Sequence, residues 1–89
     1  MKHRDQIEVI GRILQVANGD SNATKTRIMY KALLSYNQLK EHLIFLTEND
    51  LLRPNENTRT FKVTDKGQRF LQIYSQINDM IKAPTAATV

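Results

Sequence analysis

Apolar residues recur every three or four positions through the first half of the chain, which is the spacing of one face of an α-helix. The pattern occurs in three consecutive stretches separated by polar or turn-forming residues. Its positions are Ile7, Ile10, Leu14 and Ala17 in a first helix, Ile28, Met29 and Ala32 in a second, and Tyr36, Leu39, Leu43 and Leu46 in a third. The sequence therefore predicts three amphipathic helices that turn these faces toward a shared core.

A glycine interrupts the first of these helices. Gly11 costs about 1 kcal/mol relative to alanine inside a helix, so we expect a close approach by another helix at this position. The helix should end at Asn18-Gly19, because glycine adopts the left-handed conformation of a helix C-terminus at little cost.

The second and third helices are separated by only a few residues and form a predicted helix-turn-helix. Thr24 or a neighbour caps the second helix, Ser35 caps the third, and Leu33-Leu34 should anchor the turn from inside. At about 100° per residue, the outward face of the third helix carries Asn37 and Glu41.

Gln38 and Lys40 flank that outward face. Asn and Gln can each make two hydrogen bonds to an adenine edge in the major groove, so Asn37 and Gln38 are candidate base-reading residues. Glu41 either accepts from cytosine or is simply solvated. Later in the same helix, Ile44 and Phe45 lie away from the apolar stripe. They either pack under the first or last helix or contact another subunit.

A β-hairpin is predicted after the third helix. An extended segment begins at Leu51-Leu52-Arg53 and should stop at Pro54, because proline cannot continue a central strand. A turn-rich tip follows, and residues 60–64 then alternate between apolar and polar side chains. Arg53 and Arg59 flank this predicted wing, where they would meet phosphates or enter the minor groove.

The last helix is predicted from Thr64 or Asp65 to about Lys82, followed by a flexible tail at residues 83–89. Its apolar residues follow alternating four- and three-residue steps, as in a short coiled-coil seam. A single small domain would leave the later ones exposed to water, so we predict a homodimer through this helix. The predicted interface residues are Ile73, Tyr74, Ile77, Met80 and Ile81.

Positive charge is concentrated around the predicted helix-turn-helix and wing. The chain has 89 residues and a formal net charge of +4. Residues 25–40 hold four basic side chains and no acidic one, and residues 53–69 hold five basic against two acidic. This distribution favours a polyanionic partner, although a solvated face on a basic protein would look the same.

Nothing in the sequence favours catalysis, a metal site or a cofactor. There is no cysteine, and His3 and His42 lie on different segments without a spaced carboxylate partner. There is no Gly-rich phosphate loop. No apolar run approaches the length of about 20 residues that a membrane-spanning helix needs. No signal-peptide pattern precedes the first helix, so we expect a non-enzymatic intracellular protein with no membrane partner.

Two segments together resemble a known group of proteins. They are TKTRIMYKALLSYNQLKEHLIFLTENDLL and TFKVTDKGQRFL. They resemble the small archaeal winged-helix DNA-binding proteins, which include the ten-kilodalton archaeal chromatin proteins that dimerise through an extended C-terminal helix. The similarity covers Asp5 to about Ile81, although the predicted last helix is shorter than in the dimeric chromatin proteins.

The resemblance implies a mainly α fold with a small β-hairpin: a winged helix-turn-helix with a three-helix core, a two-stranded wing and a C-terminal helix. The winged-helix domain would span residues 1–82, including a dimerisation helix at about 65–82. Double-stranded DNA would be the ligand. The predicted DNA-binding residues are Lys25, Thr26, Arg27, Ser35, Tyr36, Asn37, Gln38, Lys40, Arg53 and Arg59.

The leading hypothesis is a DNA-binding transcriptional regulator or chromatin-associated protein. The alternative is a winged-helix module that binds another protein and not DNA, since fold alone does not fix function. In that case Ile44, Phe45, Ile73 and Met80 would contact the partner.

Overall fold

A computed structural model describes the backbone of residues 2–88 and the side chains of residues 6–77, 79 and 80. The elements follow in the order α1 (Lys2–Gly19), α2 (Lys25–Ala32), α3 (Tyr36–Glu48), β1 (Leu52–Asn55), β2 (Thr60–Val63) and α4 (Asp65–Thr88). This is the predicted three-helix core with a two-stranded wing and a C-terminal helix. In the part of the chain that is described, no helix is both long and apolar enough to span a bilayer.

The two helices of the helix-turn-helix begin at the predicted caps. Thr24 accepts a hydrogen bond from the backbone N–H of Arg27 at 3.3 Å. Ser35 accepts one from the N–H of Gln38 at 3.2 Å, and the Gln38 side chain accepts in return from the N–H of Ser35 at 3.0 Å. This reciprocal pair is a capping box, so α3 has a well-defined first residue.

The turn between α2 and α3 differs from the prediction. Leu33 adopts a left-handed conformation, with φ 58°, and its N–H closes the end of α2 on the carbonyls of Met29 and Tyr30. That conformation directs its side chain outward, where it is 81% exposed. Only Leu34 packs against the core, so the prediction that both leucines anchor the turn from inside is wrong for Leu33.

The wing is an antiparallel pair in which Leu52 faces Val63 and Pro54 faces Phe61. The segment before α2 adds to it: Thr24 bridges Thr60, and the N–H of Phe61 donates to the carbonyl of Ala23 at 2.9 Å. Strand β2 is therefore paired on both sides and β1 lies at the edge. An edge strand tolerates proline, so β1 continues through Pro54 instead of stopping there as predicted.

The core is formed by residues from all three N-terminal helices and the start of β1. Its fully buried large side chains are Ile13, Leu14, Ile28, Leu39, Leu46 and Leu52. Phe61, Val63, Phe70 and Leu71 cover it from the wing and α4. The predicted faces of α1 and α2 are therefore buried or partly buried except at Ile7, which is 51% exposed because it lies a turn before the core begins at Ile10. The outer sides of α2 and α3 do not contribute to the core.

Helix α4 packs against α1 at Gly11, which confirms the predicted close approach. A side-chain carbon at Gly11 would lie within 2.7 Å of three atoms of the Tyr74 ring. The same ring stacks on Phe70, with centroids 6.4 Å apart. Tyr74 therefore makes contacts within the chain, and its place in a dimer interface stays a prediction.

Three other residues of the predicted interface form an exposed apolar stripe along α4. Ile73 is 58% exposed, Ile77 48% and Met80 69%. The side chain of Ile81 lies outside the described residues. Helix α4 continues to Thr88, so the predicted helix end near Lys82 is wrong. The domain boundary at that point stays a prediction.

Candidate nucleic-acid interface

Helix α3 presents two different faces. Leu39, Leu43 and Leu46 are buried, and Asn37 and Glu41 are exposed on the opposite side. This is the predicted orientation.

Tyr36 is the exception on the inward side. It is 58% exposed, so its predicted place in the apolar core stripe is wrong. As the first residue of α3, Tyr36 lies beside the capping turn and not over the middle of the core. An exposed Tyr36 is available to a ligand.

Gln38 has a structural role at the start of α3. Its side-chain oxygen accepts from the backbone N–H of Ser35, and this hydrogen bond is half of the capping box. The Ser35 hydroxyl is used in the other half. A glutamine reading adenine needs its oxygen as well as its amide N–H groups, so Gln38 is less available for base reading than Asn37.

Two adjoining hollows separate α3, the start of α2 and the wing. The inner hollow, of about 240 Å³, is lined by Lys25, Tyr36, Leu39, Lys40, Leu43, Ile44, Thr47 and Phe61. The outer hollow, of about 650 Å³, is lined by Thr24, Lys25, Thr26, Pro54, Asn55, Glu56, Arg59, Thr60 and Phe61. Lys25 and Phe61 line both, so the two hollows lie side by side; together they are called the concave surface below.

Five of the ten predicted DNA-binding residues line this surface. They are Lys25, Thr26, Tyr36, Lys40 and Arg59. Among the side chains that the structure describes, Lys25, Lys40 and Arg59 form no ion pair, so their charges are open to an anionic ligand. Glu56 is the only acidic residue lining either hollow.

Phe61 lines both hollows, although the sequence did not single it out as a site residue. The alternation of apolar and polar residues in the second strand predicts that Phe61 faces inward, and Phe61 is partly buried against the core. It nevertheless forms the shared wall of the two hollows. No signal in the sequence could have indicated this, because the position depends on how the wing folds back toward α2.

Arg27 lies apart from these cations, although it is close to Lys25 in sequence. Its Nε donates to Asp20 at 2.7 Å, and Lys31 Nζ donates to the same carboxylate oxygen at 3.3 Å. The backbone N–H of Asn22 and these two side chains hold the pKa of Asp20 at about 2, below its ordinary 3.8. Much of the charge that Arg27 was predicted to offer DNA is thus compensated within the protein.

Arg53 is also outside both hollows. It is exposed on β1, opposite Lys62 on β2, and approaches Asp50 at 3.9 Å. An exposed ion pair of that length contributes little to stability, so Arg53 can still reach a ligand at the side of the wing.

The similarity to known proteins agrees with this architecture. The profile of the winged helix-turn-helix family matches residues 3–82. The chain is also 30% identical over 79 residues to an uncharacterized protein of Methanocaldococcus jannaschii, covering 89% of this chain and 75% of that one. Winged helix-turn-helix domains in general bind DNA and are typically not enzymes. By its profile match and its four helices with a two-stranded hairpin, this chain belongs to the winged helix-turn-helix family.

Proposed function

We propose that this protein binds double-stranded DNA without catalysis, as a transcriptional regulator or a chromatin-associated protein of the nucleoid. Helix α3 enters the major groove, and the wing contacts the phosphate backbone or the minor groove beside it. Two copies act together through α4. We also propose that the protein is related to the ten-kilodalton archaeal chromatin proteins and that its winged-helix domain spans residues 1–82.

The observation that carries the proposal is the placement of Lys25, Lys40 and Arg59 around one concave surface. They come from α2, α3 and the wing: Lys40 lines the inner hollow, Arg59 lines the outer one, and Lys25 lines both. Cations that neutralise phosphates release condensed counterions, which supplies most of the affinity of such proteins for DNA. The start of α2 and the wing thus provide phosphate contacts on one side of α3.

The backbone conformation of Arg59 allows the role of its side chain to be tested cleanly. Arg59 is left-handed, with φ 56°, at the end of the wing tip. This conformation costs a residue with a side chain roughly 1 kcal/mol or more, and Asn or Gly adopts it more cheaply. Replacing Arg59 with Asn therefore removes the guanidinium without a cost in backbone conformation.

The experiment is a fluorescence-anisotropy titration on a mixed-sequence duplex of about 20 base pairs, at salt concentrations from about 50 to about 200 mM. Lys25→Gln and Arg59→Asn should each weaken binding to every duplex and reduce the salt slope by about 0.9 per site. Arg59→Asn should leave the protein at least as stable as the parent, so its loss of affinity would not reflect unfolding.

Lys31→Gln is the matched control, because it removes a positive charge from the same helix as Lys25 but on the side held by Asp20. It should bind almost like the parent. Equal losses for Lys25→Gln and Lys31→Gln would indicate general electrostatics and not this surface. A parent that binds no duplex even at low salt would contradict the proposal.

A protein-interaction module is the second candidate, favoured by exposed apolar residues on α3. Ile44 is 51% exposed and Phe45 38%. A protein partner would bury them. Absence of DNA binding together with a stable co-purifying protein, released by Phe45→Ser, would favour this candidate.

A further inference from the structure

The outward face of α3 has an unusual charge for a helix that approaches DNA. Its exposed residues at helical spacing that line neither hollow are Asn37, Glu41 and Glu48, and none of them is basic. The nearest cation on the helix, Lys40, lies to one side, in the inner hollow. Phosphate contacts therefore fall beside this face and not along it.

Two side chains on this face have free hydrogen-bonding groups. Within the described part of the chain, neither Asn37 nor Glu41 forms a side-chain hydrogen bond or an ion pair, whereas Gln38 is engaged in the capping box. Asn37 and Glu41 are one helical turn apart. Their axial separation is about 6 Å, close to two base-pair steps.

A carboxylate in the major groove discriminates strongly between bases, because it can only accept hydrogen bonds. Guanine presents two acceptors there and thymine presents one, and both repel it. Adenine offers an amino donor, but its N7 acceptor is adjacent. Cytosine offers the N4 amino group with no neighbouring acceptor on its own edge, so it is the most favourable base for a glutamate.

We propose that Glu41 is a specificity-determining residue that accepts a hydrogen bond from the N4 amino group of cytosine in the major groove. Asn37 reads an adenine about two base pairs away. This proposal rests on the proposed function. It specifies the DNA sites that the protein prefers, which are duplexes with a cytosine and an adenine at this spacing. At any other base, Glu41 weakens binding by bringing its charge close to acceptors and phosphates.

The test compares the parent, Glu41→Gln and Glu56→Gln by selection from a randomised duplex pool, followed by titration of single-base variants. Glu56→Gln is the matched control, since it makes the same charge change at the wing tip, away from α3. The parent should select cytosine at one position, and thymine there should weaken binding about tenfold. Glu41→Gln should change that preference to adenine, because glutamine pairs with an adenine edge.

The control separates base reading from simple charge. Both variants should bind duplexes in general more tightly than the parent, but Glu56→Gln should keep the cytosine preference. If the parent binds duplexes with no cytosine preference, or if Glu41→Gln selects the same bases as the parent, the inference is wrong and DNA binding still stands. A parent that binds no duplex at all would instead overturn the proposed function.

Discussion

Asp20 joins the segment before α2 to the helix itself. It accepts from the N–H of Asn22 at 2.9 Å, from Arg27 at 2.7 Å and from Lys31 at 3.3 Å. These donors stabilise the ionised form, which is why its pKa falls to about 2. The carboxylate thus orders the residues that lead into Ala23 and Thr24, where the chain pairs with the wing.

Replacing Asp20 with Asn should lower the melting temperature at neutral pH. Because the pKa of Asp20 is lower in the folded state, its stabilisation is fully present above about pH 3.8 and is lost as the pH falls toward 2. The difference between parent and variant should therefore shrink over that interval, measured by circular dichroism melts. Glu56→Gln, an exposed charge change, should show no such difference. A gap between parent and Asp20→Asn that stays constant down to pH 2 would contradict this account.

Individual residues also show where periodicity stops predicting structure. Leu39, Leu43 and Leu46 were predicted on the buried face and are buried. Leu33 and Tyr36 were assigned inward and are exposed, because both lie at helix ends where a left-handed cap or a capping turn changes the side-chain direction. The pairing of Arg27 with Asp20 depends on the path of a short linker, which no spacing rule gives.

At the scale of elements, two glycines set how closely α4 approaches the rest of the fold. Gly11 receives the Tyr74 ring, and Gly67 lies against the backbone of Leu51 at the end of the helix-turn-helix. The helix stability that Gly11 costs α1 relative to alanine is thus offset by the contact between α1 and α4. The sequence could indicate that such a contact exists, but not which helix or which residue makes it.

Gly11→Ala should lower the free energy of unfolding by about 1–2 kcal/mol, because the new methyl group displaces the Tyr74 ring and this outweighs the gain in helix propensity. Urea denaturation measures the change. Gly19→Ala is the control, since nothing lies within 4 Å of a carbon added there. In a Tyr74→Ala background the same Gly11→Ala change should become neutral or stabilising. Stabilisation of the parent by Gly11→Ala would show that the contact is not tight.

For the whole molecule, the element order and the approximate bounds were predictable from hydrophobic periodicity and caps. The concave surface was predictable only in part. Lys25, Lys40 and Arg59 come together because the segment at Ala23 and Thr24 pairs with β2 and brings the wing beside α2. That long-range pairing has no signature in a polar linker, so the sequence could not indicate that Phe61 lines both hollows.

The exposed stripe on α4 is the surface through which the proposed dimer would form. Under the proposed dimer, Ile77→Glu should shift the protein to monomer in sedimentation-velocity experiments, because it places a charge in an apolar seam. It should also weaken DNA binding about tenfold or more, since two linked sites bind more tightly than one. Gln76→Glu, the same charge at the adjacent exposed position, should remain dimeric. A parent that is monomeric at high concentration would contradict the dimer.

If duplex DNA binds to the surface formed by α3, the start of α2 and the wing, adding a short duplex at low salt should shift the backbone amide signals of that surface in an NMR titration. The largest shifts should occur at Lys25, Thr26, Asn37, Lys40 and Arg59, and added salt should reverse them. Shifts concentrated on α1 and α4, or no shifts at any duplex concentration, would show that this surface does not bind DNA.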